Sequence, residues 1–334
     1  METENKKSIS SISICGEMLL NMHSLNNEGG EGNQIITRQA TILDCQDERH
    51  TVTAISGDMF KHIHATHMVN YCKENGLPLS DYSKVVDPNR ISANELSRKI
   101  GNKEKVKQEE VIDEIIKTCS VCDAHGLLIT EDVKGNKNTP RHSVVEFAWT
   151  VGIPGKNGTE TYIHSKLVSD SGAKGSATES NEGQNLFHRP ANYGEYAFIC
   201  NIEVYRIGLN DINRTYPIDD NDREKRYQAI LVSLISSMLN PEGAMTSSQK
   251  PHVTGFKGVV SWSHKLVPAP TVSALNSDYI KQIENVAENV NNIYKTLNNN
   301  ETINVVETEE FKNISDFVSI INKLLKDQPY KIHD

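Results

Sequence analysis

The chain lacks the long apolar runs that would place it in a membrane or send it through one. Its most apolar helical stretch, residues 229–239 of 334, is too short and too rich in serine to cross a bilayer. The first ten residues, METENKKSIS, contain no apolar core of a secretory signal. We therefore expect a cytoplasmic protein that has no membrane partner.

Cysteine is too sparse and too scattered, at six residues, to form a disulfide framework, which fits a reducing compartment. Cys119 and Cys122 form a CxxC pair, but no second CxxC or HxxxH pair completes the four ligands of a structural zinc site. Cys45, Cys72 or His125 could contribute in space, although two cysteines at a helix end are more often buried small hydrophobes. We predict neither a bound metal nor another cofactor.

Positive charge is also scarce, because the net charge is −9. This value excludes a broadly basic surface of the kind that many free nucleic-acid-binding proteins carry. The excess of acids lies in residues 1–60 and 277–334, whereas residues 61–276 are neutral in sum. A local basic groove in the middle of the chain therefore remains compatible with the composition.

Near the N-terminus, apolar and polar residues alternate in a pattern that predicts a half-buried strand over residues 12–20. A tract rich in glycine and asparagine follows from His23 to Asn33, and then a basic residue, Arg38. Such a tract can bring backbone N–H groups and side-chain amides to a ligand. The same composition is also typical of an exposed connection that only turns.

An amphipathic helix is predicted over residues 57–74, with Ser56 as its N-cap and Gly76 at its end. It carries one lysine and three histidines: Lys61, His62, His64 and His67. At about 100° per residue, His62 and His64 point to nearly opposite sides, so one helix cannot aim all three histidines at one metal. A core-facing histidine beside polar positions near a ligand fits the spacing better.

The later elements predict an α+β fold. We expect strands over 143–151, 195–207 and 256–262, a helix from Asn221 that ends at Asn240–Gly243, and tail helices over about 277–297 and 309–326. A long polar loop separates the first two of these strands. The order strand, helix, strand, strand, helix, strand is ferredoxin-like and is also that of the RRM. Because the first strand lacks aromatic residues and the RRM signature of the third strand is absent, loops would have to hold any RNA.

Four segments together resemble the DevR-type CRISPR-associated autoregulators, which are RAMP-superfamily backbone subunits of type I Cascade surveillance complexes, here most similar to the I-A/I-B branch. They are MHSLNNEGGEGN with Arg38, AISGDMFKHIHATH, CDAHG and NLFHRPANYGEYAFICNIEVYRIG. The resemblance covers most of residues 8–265 and does not extend to the acidic C-terminal helices.

The resemblance implies a ferredoxin-like or RRM-like βαββαβ palm with inserted elements. On this basis residues 1–76 and 141–265 form the palm, and residues 77–140 form an inserted finger or helical subdomain. Residues 153–194 form a thumb loop or hairpin inserted within the palm, and residues 266–334 form a C-terminal helical segment.

The resemblance also implies a non-catalytic role in antiviral defence. Family members stack head to tail as a helical filament along the spacer of the CRISPR RNA, and their thumbs displace a nucleotide at regular intervals. The guide then pairs with target DNA, so base pairing supplies sequence recognition. The implied partners are CRISPR RNA, target DNA through the guide, other copies of the chain and other Cascade subunits.

The residues that the resemblance assigns to RNA binding are cationic or carry amides and imidazoles. They are His23, Asn26, Asn27, Asn33, Arg38, Lys61, His64, Lys166, Arg189 and Lys250. Leu186 and Phe187 are the candidate thumb wedge, with Tyr193 as a further candidate. Lys250 departs from the family pattern, because relatives have a basic residue sooner after the Gly243–Ala244 pair.

Two other functions are compatible with the sequence. The first is a metal-independent endoribonuclease that processes CRISPR RNA, in which His23 or His64 would act as a general acid or base. The second is transcriptional autoregulation, which only the family's historical name suggests, since the sequence has neither a helix-turn-helix signature nor a basic recognition helix.

Overall fold

The computed structural model describes residues 6–32, 34–167, 184–298 and 304–332. The strands are β1 (Ser8–Ile9), β2 (Ser11–His23), β3 (Asn27–Glu31), β4 (Gln34–Thr37), β5 (Gln39–Leu43), β6 (Arg49–Ile55), β7 (Leu127–Ile129), β8 (Thr139–Arg141), β9 (Val145–Phe147), β10 (Thr150–Leu167), β11 (Gln184–Ile202), β12 (His252–Ser263), β13 (Val306–Phe311) and β14 (Gln328–Pro329). The helices are α1 (Gly57–Asn75), α2 (Asp81–Lys84), α3 (Ala93–Ile100), α4 (Gln108–Thr118), α5 (Ser120–His125), α6 (Asp220–Leu239), α7 (Tyr279–Leu297) and α8 (Ile314–Leu324), with a 3₁₀ turn at Val204–Arg206.

The main sheet is antiparallel along the order β13-β12-β2-β11-β10-β6-β5, and β9 pairs with β11 beside β10. Strand β2 is central, because it pairs with β11 on one edge and with β12 on the other. Helices α1 and α6 pack against each other. The α+β class is therefore confirmed.

Helix α1 begins and ends where the sequence predicts. The Ser56 side chain accepts a hydrogen bond from the backbone N–H of Met59, which satisfies one of the free donors of the first turn. Gly76 closes the helix in the left-handed conformation at φ 68°, which costs glycine little. Local capping chemistry therefore sets both ends.

The sheet is buried on both faces, so the prediction that the first strand is half-buried was wrong. Ile14 and Met18 of β2 join the large core formed with α1, α6 and α8. On the other face, Cys15 is fully buried in a second cluster that includes Tyr279 and Ile283 of α7. The C-terminal segment thus covers the face of β2 that carries serines and a cysteine. That face had been expected to meet solvent.

The tail also contains strands where helix was predicted. Strand β13 pairs with β12 from Gly258↔Phe311 to Ser263↔Val306 and so forms one edge of the main sheet. Strand β14 pairs in parallel with β1, with Ser8 opposite Gln328. The segment 266–334 is therefore part of the sheet architecture as well as its helical cover.

The long polar stretch after residue 151 was predicted to be a loop or hairpin, and its described residues form a hairpin. Strands β10 and β11 form a hairpin in which the outer arms pair continuously from Asn157↔Gly194 to Leu167↔Gln184. A bulge lies at the base, where Gly194 adopts φ 134° and a Cβ would lie 2.2 Å from the carbonyl oxygen of Lys156. The hairpin projects from the main sheet as a continuation of its two strands.

A buried ion network attaches the segment 77–140 to the rest of the protein. Asp123 of α5 is 1% exposed and accepts hydrogen bonds from Arg141 Nη2 at 2.7 Å and Arg226 Nη1 at 2.9 Å. The backbone N–H of Gly208 adds a further donor at 3.0 Å. One carboxylate therefore ties together α5, β8, α6 and the turn after β11.

Removing that carboxylate should destabilise the fold strongly, because two buried guanidinium groups would lose their shared partner. We expect Asp123→Ala to lower the free energy of unfolding by about 3–5 kcal/mol. Asp81→Ala, which removes an exposed ion-pair partner of Lys84, is the control and should leave the unfolding midpoint nearly unchanged. Urea unfolding followed by circular dichroism measures both, and equal midpoints for the two variants would contradict the role given to Asp123.

Candidate nucleic-acid interface

Two hairpins meet at the end of the sheet where β2 finishes. Strands β3 and β4 form a small antiparallel hairpin in the tract that was predicted to be a loop. Gln34 of this hairpin pairs in parallel with His188 in the outer arm of β11. At its base, the side chains of Thr37 and Asn192 hydrogen-bond at 2.7 Å. The β3–β4 hairpin is therefore held against the side of the β10–β11 hairpin.

The segment between α6 and β12 joins the same place. Its Gln249 Nε2 donates to the carbonyl oxygen of Pro190 at 3.0 Å, and Ala244 N donates to the carbonyl oxygen of Leu25 at 2.9 Å. Arg189 Nη1 lies 3.5 Å from Ser248 Oγ. We call the combined surface of residues 27–32, 34–37, 186–190 and 241–251 the loop surface.

The loop surface presents backbone groups and two of the predicted cations. Gly29, Gly30 and Gly32 at the tip of the β3–β4 hairpin are exposed, and Gly29 and Gly32 have positive φ angles. Lys250 is exposed and Arg189 is half-buried. Glycines at a turn leave backbone N–H groups open to an anionic ligand.

Arg38 lies just beyond β4 and is fixed by an aromatic contact. Its guanidinium carbon lies 5.3 Å from the ring centroid of Trp149, and Glu28 Oε1 lies 3.9 Å from its Nε. The backbone N–H of Arg38 donates to the carbonyl oxygen of Asn26, which closes the base of the hairpin. Trp149 is one of only two tryptophans in the chain and was not among the predicted site residues.

Asn26 and Asn27 have local structural partners. Asn26 is 7% exposed, and its Oδ1 accepts from the backbone N–H of Ser56 at 2.7 Å. The amide oxygen of Asn26 therefore fixes the start of α1, and the contact of this side chain with RNA stays a prediction. Asn27 is half-buried and its Oδ1 accepts from Ser24 Oγ at 2.9 Å. Asn33 lies outside the described residues.

His23 is buried, at 1% exposure, beneath the base of the β10–β11 hairpin. Its Nε2 lies 3.0 Å from Tyr196 Oη, which in turn lies 2.8 Å from Thr53 Oγ1. Burial lowers the pKa of His23 to about 3, so the ring is neutral near pH 7. The prediction that His23 contacts RNA was therefore wrong, because no ring atom is within reach of a ligand on the surface.

His64 is also buried, at 0% exposure, and was wrongly predicted to contact RNA. Its Nε2 lies 3.0 Å from the carbonyl oxygen of Ile230, which can only accept, so Nε2 carries the hydrogen. His64 Nδ1 then accepts from His125 Nε2 at 2.8 Å. Burial lowers the pKa of His64 to about 4. His62 is exposed and His67 bonds the carbonyl of Asn240, so the helix separates its three histidines.

Lys61 is placed apart from the loop surface, on the side of α1 that faces the inserted segment. Together with Asp58, Asp87 and Arg90, it lines a cavity of about 340 Å³ between α1 and the residues before α3. Burial, followed by the nearby charge of Arg90, lowers the pKa of Lys61. The structure therefore does not bring Lys61 together with Arg189 and Lys250.

The wedge candidates lie on the outer arm of β11. Leu186 is 46% exposed, Phe187 is half-buried, and these two neighbours point to opposite faces of the hairpin. Tyr193 is 43% exposed and packs its ring over Gly158 of β10. Lys166 lies on the facing arm, where its backbone pairs with Asn185.

The CxxC pair is buried and serves as a helix cap. The Sγ atom of Cys119 accepts from the backbone N–H of Cys122 at 3.3 Å at the start of α5. Among the described residues, side chains with metal-ligand spacing come together only at Asp44, Glu48 and His50, on the turn between β5 and β6. There the Asp44 carboxylate hydrogen-bonds His50 at 2.8 Å.

Across the part of the chain that the structure describes, no helix has both the length and the apolar character needed to cross a bilayer.

The fold defines a mixed α/β protein in which one end of an antiparallel sheet carries a set of polar loops and a projecting hairpin. A family model described as the CRISPR-associated negative auto-regulator DevR/Csa2 matches residues 14–284. The chain belongs to this family, so the predicted resemblance is confirmed.

Two relatives are each 26% identical to the chain. One is the CRISPR-associated protein Cas7/Cst2/DevR of Methanocaldococcus jannaschii, aligned over 83% of this chain and 88% of the relative. The other is the CRISPR-associated protein Cas7/Csa2 1 of Saccharolobus solfataricus, over 86% and 89%. Among solved structures, a chain of a CRISPR RNA-guided surveillance complex in a pre-nicking state is similar at a TM-score of 0.44 and 11% identity, covering 85% of this chain and 88% of that one. A chain of a second CRISPR RNA-guided surveillance complex is similar at a TM-score of 0.43 and 10% identity, covering 94% of this chain and 97% of that one.

Burial of neutral histidines should make the fold sensitive to acid. Because the folded-state pKa of His64 is about 4 against 6.5 when exposed, its contribution to stability is present above pH 6.5 and is lost as the pH falls through about 4. We expect His64→Gln to flatten the dependence of unfolding free energy on pH by about 1.4 kcal/mol per pH unit between about pH 6 and pH 4.5.

Denaturant unfolding at several pH values measures this slope. His62→Gln, which changes an exposed histidine on the same helix, is the matched control and should leave the slope unchanged. A slope that is equal in the His64 variant and the unaltered chain would contradict the assignment of a neutral, buried His64.

Proposed function

We propose that the chain is a non-catalytic, CRISPR RNA-binding subunit of a Cascade-type complex in antiviral defence. The observation that carries the proposal is membership of the DevR/Csa2 family across residues 14–284. Both relatives with CRISPR-associated names align over more than four fifths of their own length. The loop surface supplies a place for the RNA that is compatible with this role.

The palm of this subunit is RRM-like. Strands β12, β2, β11 and β9 lie side by side, with α1 and α6 on the same face, which is the spatial arrangement of a βαββαβ unit. An RRM stacks bases on its open sheet face. Here α7 covers the opposite face, so RNA binds at the end of the sheet, on the loop surface.

RNA binding on the loop surface is independent of sequence. Exposed backbone groups of Gly29 to Gly32, together with Arg38, Arg189 and Lys250, contact the sugar-phosphate chain. The Watson–Crick edges of the guide remain free to pair with target DNA, which supplies the sequence recognition. The net charge of the chain is acidic, so few cations contact the sugar-phosphate chain. Neighbouring copies therefore contribute jointly to the affinity for the RNA.

Copies of the chain assemble head to tail along the spacer, beside other Cascade subunits. The β10–β11 hairpin is the thumb, and it projects beyond the sheet from the same end as the loop surface. Leu186 is an exposed apolar side chain of this hairpin and acts as the wedge that displaces a nucleotide. Stacking or wedging of this kind is typically worth about 1–3 kcal/mol per base.

The burial of His23 and His64 speaks against the nuclease alternative. Both rings are nearly or fully enclosed, and each is engaged by a protein partner. A general acid or base must come within hydrogen-bond reach of the substrate. No observation favours autoregulation of transcription either.

We predict that Arg189→Gln combined with Lys250→Gln weakens CRISPR RNA binding to a similar degree for unrelated spacer sequences. Each phosphate contact on a single strand contributes about 0.7 to the steepness with which log affinity falls with log salt concentration. The double variant loses two such contacts, so this slope should become shallower by about 1.4. Binding measured by anisotropy of labelled RNA at several salt concentrations tests this.

Lys281→Gln is the control, since Lys281 is an exposed residue of α7, the helix that covers the second face of the sheet. A loss confined to one spacer sequence would contradict backbone recognition. A purified chain that carries no RNA and does not bind added CRISPR RNA would overturn the proposed function itself.

A further inference from the structure

Trp149 is an exposed aromatic side chain to which the proposed function assigns no role. It lies between β9 and β10 and is 44% exposed, whereas Trp262, the other tryptophan, is 7% exposed. Burying an indole ring stabilises a fold considerably, so leaving one in solvent forgoes that gain. Exposure alone does not mark a site, since single apolar side chains are often exposed, so the surroundings of Trp149 decide whether a ligand packs on it.

The guanidinium of Arg38 makes the surface around Trp149 suitable for a nucleotide. It stacks on the indole at 5.3 Å from the ring centroid, and it forms no hydrogen bond to any described residue. Its nearest acidic contact is Glu28, at 3.9 Å. The Nε of Arg38 is buried, so the stacking fixes the position of the cation and leaves its terminal N–H groups as the donors for a ligand.

Arg223 provides an internal comparison. It also stacks on an aromatic ring, that of Tyr216, at 4.2 Å. However, its Nε donates to the carbonyl oxygen of Ile207 and its Nη2 to that of Tyr330. That pair is satisfied within the protein and is structural. The pair of Arg38 and Trp149 lacks such partners and lies at the surface.

We propose that Trp149 and Arg38 together form a nucleotide-binding unit, in which the indole stacks on a base and the guanidinium binds the adjacent phosphate. This inference rests on the proposed function, and it adds a base-stacking residue outside the thumb hairpin. Every base offers a π-face, so such stacking tolerates any spacer sequence. The positive charge favours a nucleic acid over an apolar protein segment, because a bound phosphate would satisfy the free donors of Arg38.

The two tryptophans allow a direct test with the full-length chain. Titration with single-stranded RNA should quench the emission of Trp149, and the Trp262→Phe variant should retain this quenching because its remaining tryptophan is the exposed one. The Trp149→Phe variant should lose the quenching, since Trp262 is buried. A strand of the same length without bases should bind through its phosphates and cause little quenching.

Affinity provides the second readout. Trp149→Ala should weaken RNA binding by about 5- to 150-fold, and Trp149→Phe should restore most of the affinity because it keeps an aromatic ring. Tyr82→Ala, which removes an aromatic ring that is 39% exposed on α2, is the matched control and should bind RNA normally. Thermal unfolding of each variant establishes that it is folded.

RNA binding by the unaltered chain without quenching, or equal quenching by the strand that lacks bases, would overturn the stacking role and leave the proposed function standing. Normal RNA affinity of Trp149→Ala with weakened self-association would overturn it in favour of a protein contact. Failure of the unaltered chain to bind RNA at all would overturn the proposed function as well.

Discussion

Strand β2 is the constraint on which the rest of the architecture depends, because it is hydrogen-bonded along both edges and buried on both faces. Its close pairing with β12 requires glycine, since a Cβ at Gly258 would lie 2.2 Å from the carbonyl oxygen of Cys15. The rings of Phe256 and Phe311 pack beside Gly16 and fill the space that its missing side chain leaves. A strand held in this way fixes where its two neighbours end, and therefore where their loops emerge.

The covering of the second sheet face has a functional consequence. Helix α7 and the residues before it occupy the surface on which an RRM would stack bases, with Tyr279 and Ile283 packed against Cys15. The RNA site that we propose therefore lies at the end of the sheet. There, the β3–β4 hairpin, the β10–β11 hairpin and the segment 241–251 support one another through backbone and side-chain hydrogen bonds, so the polar surface does not depend on a single loop.

Elements with local signals were predictable from the sequence, and those that depend on distant partners were not. Helix α1 follows from Ser56, Gly76 and its apolar period. Strand β13, with the sequence VETEEF, shows little apolar character because only Val306 and Phe311 reach the core, and its pairing with β12 joins residues about 50 apart. The arms of the β10–β11 hairpin are likewise formed by cross-strand pairing that composition alone does not reveal.

The site was predictable at the level of segments but less so for side chains. The tract from residue 23 to 38 does reach the loop surface, yet His23 and Asn26 face inward because β2 continues to His23 and the amide of Asn26 is needed at Ser56. His64 shows the same difficulty, since a polar residue on a helix can be satisfied by a carbonyl on another helix. Trp149 gave no signal beyond its rarity, because it falls inside the single strand predicted over 143–151.

The parallel pairing of β1 with β14 has a practical consequence for anyone who labels or tethers the protein. Ser8 lies opposite Gln328, so residues from the two ends of the described chain form one small sheet at this corner. Because β2 has 13 residues and runs from that corner to the hairpins, this small sheet lies about 40 Å from the loop surface. A fluorophore or linker attached to either of its strands would therefore sit well clear of a bound RNA.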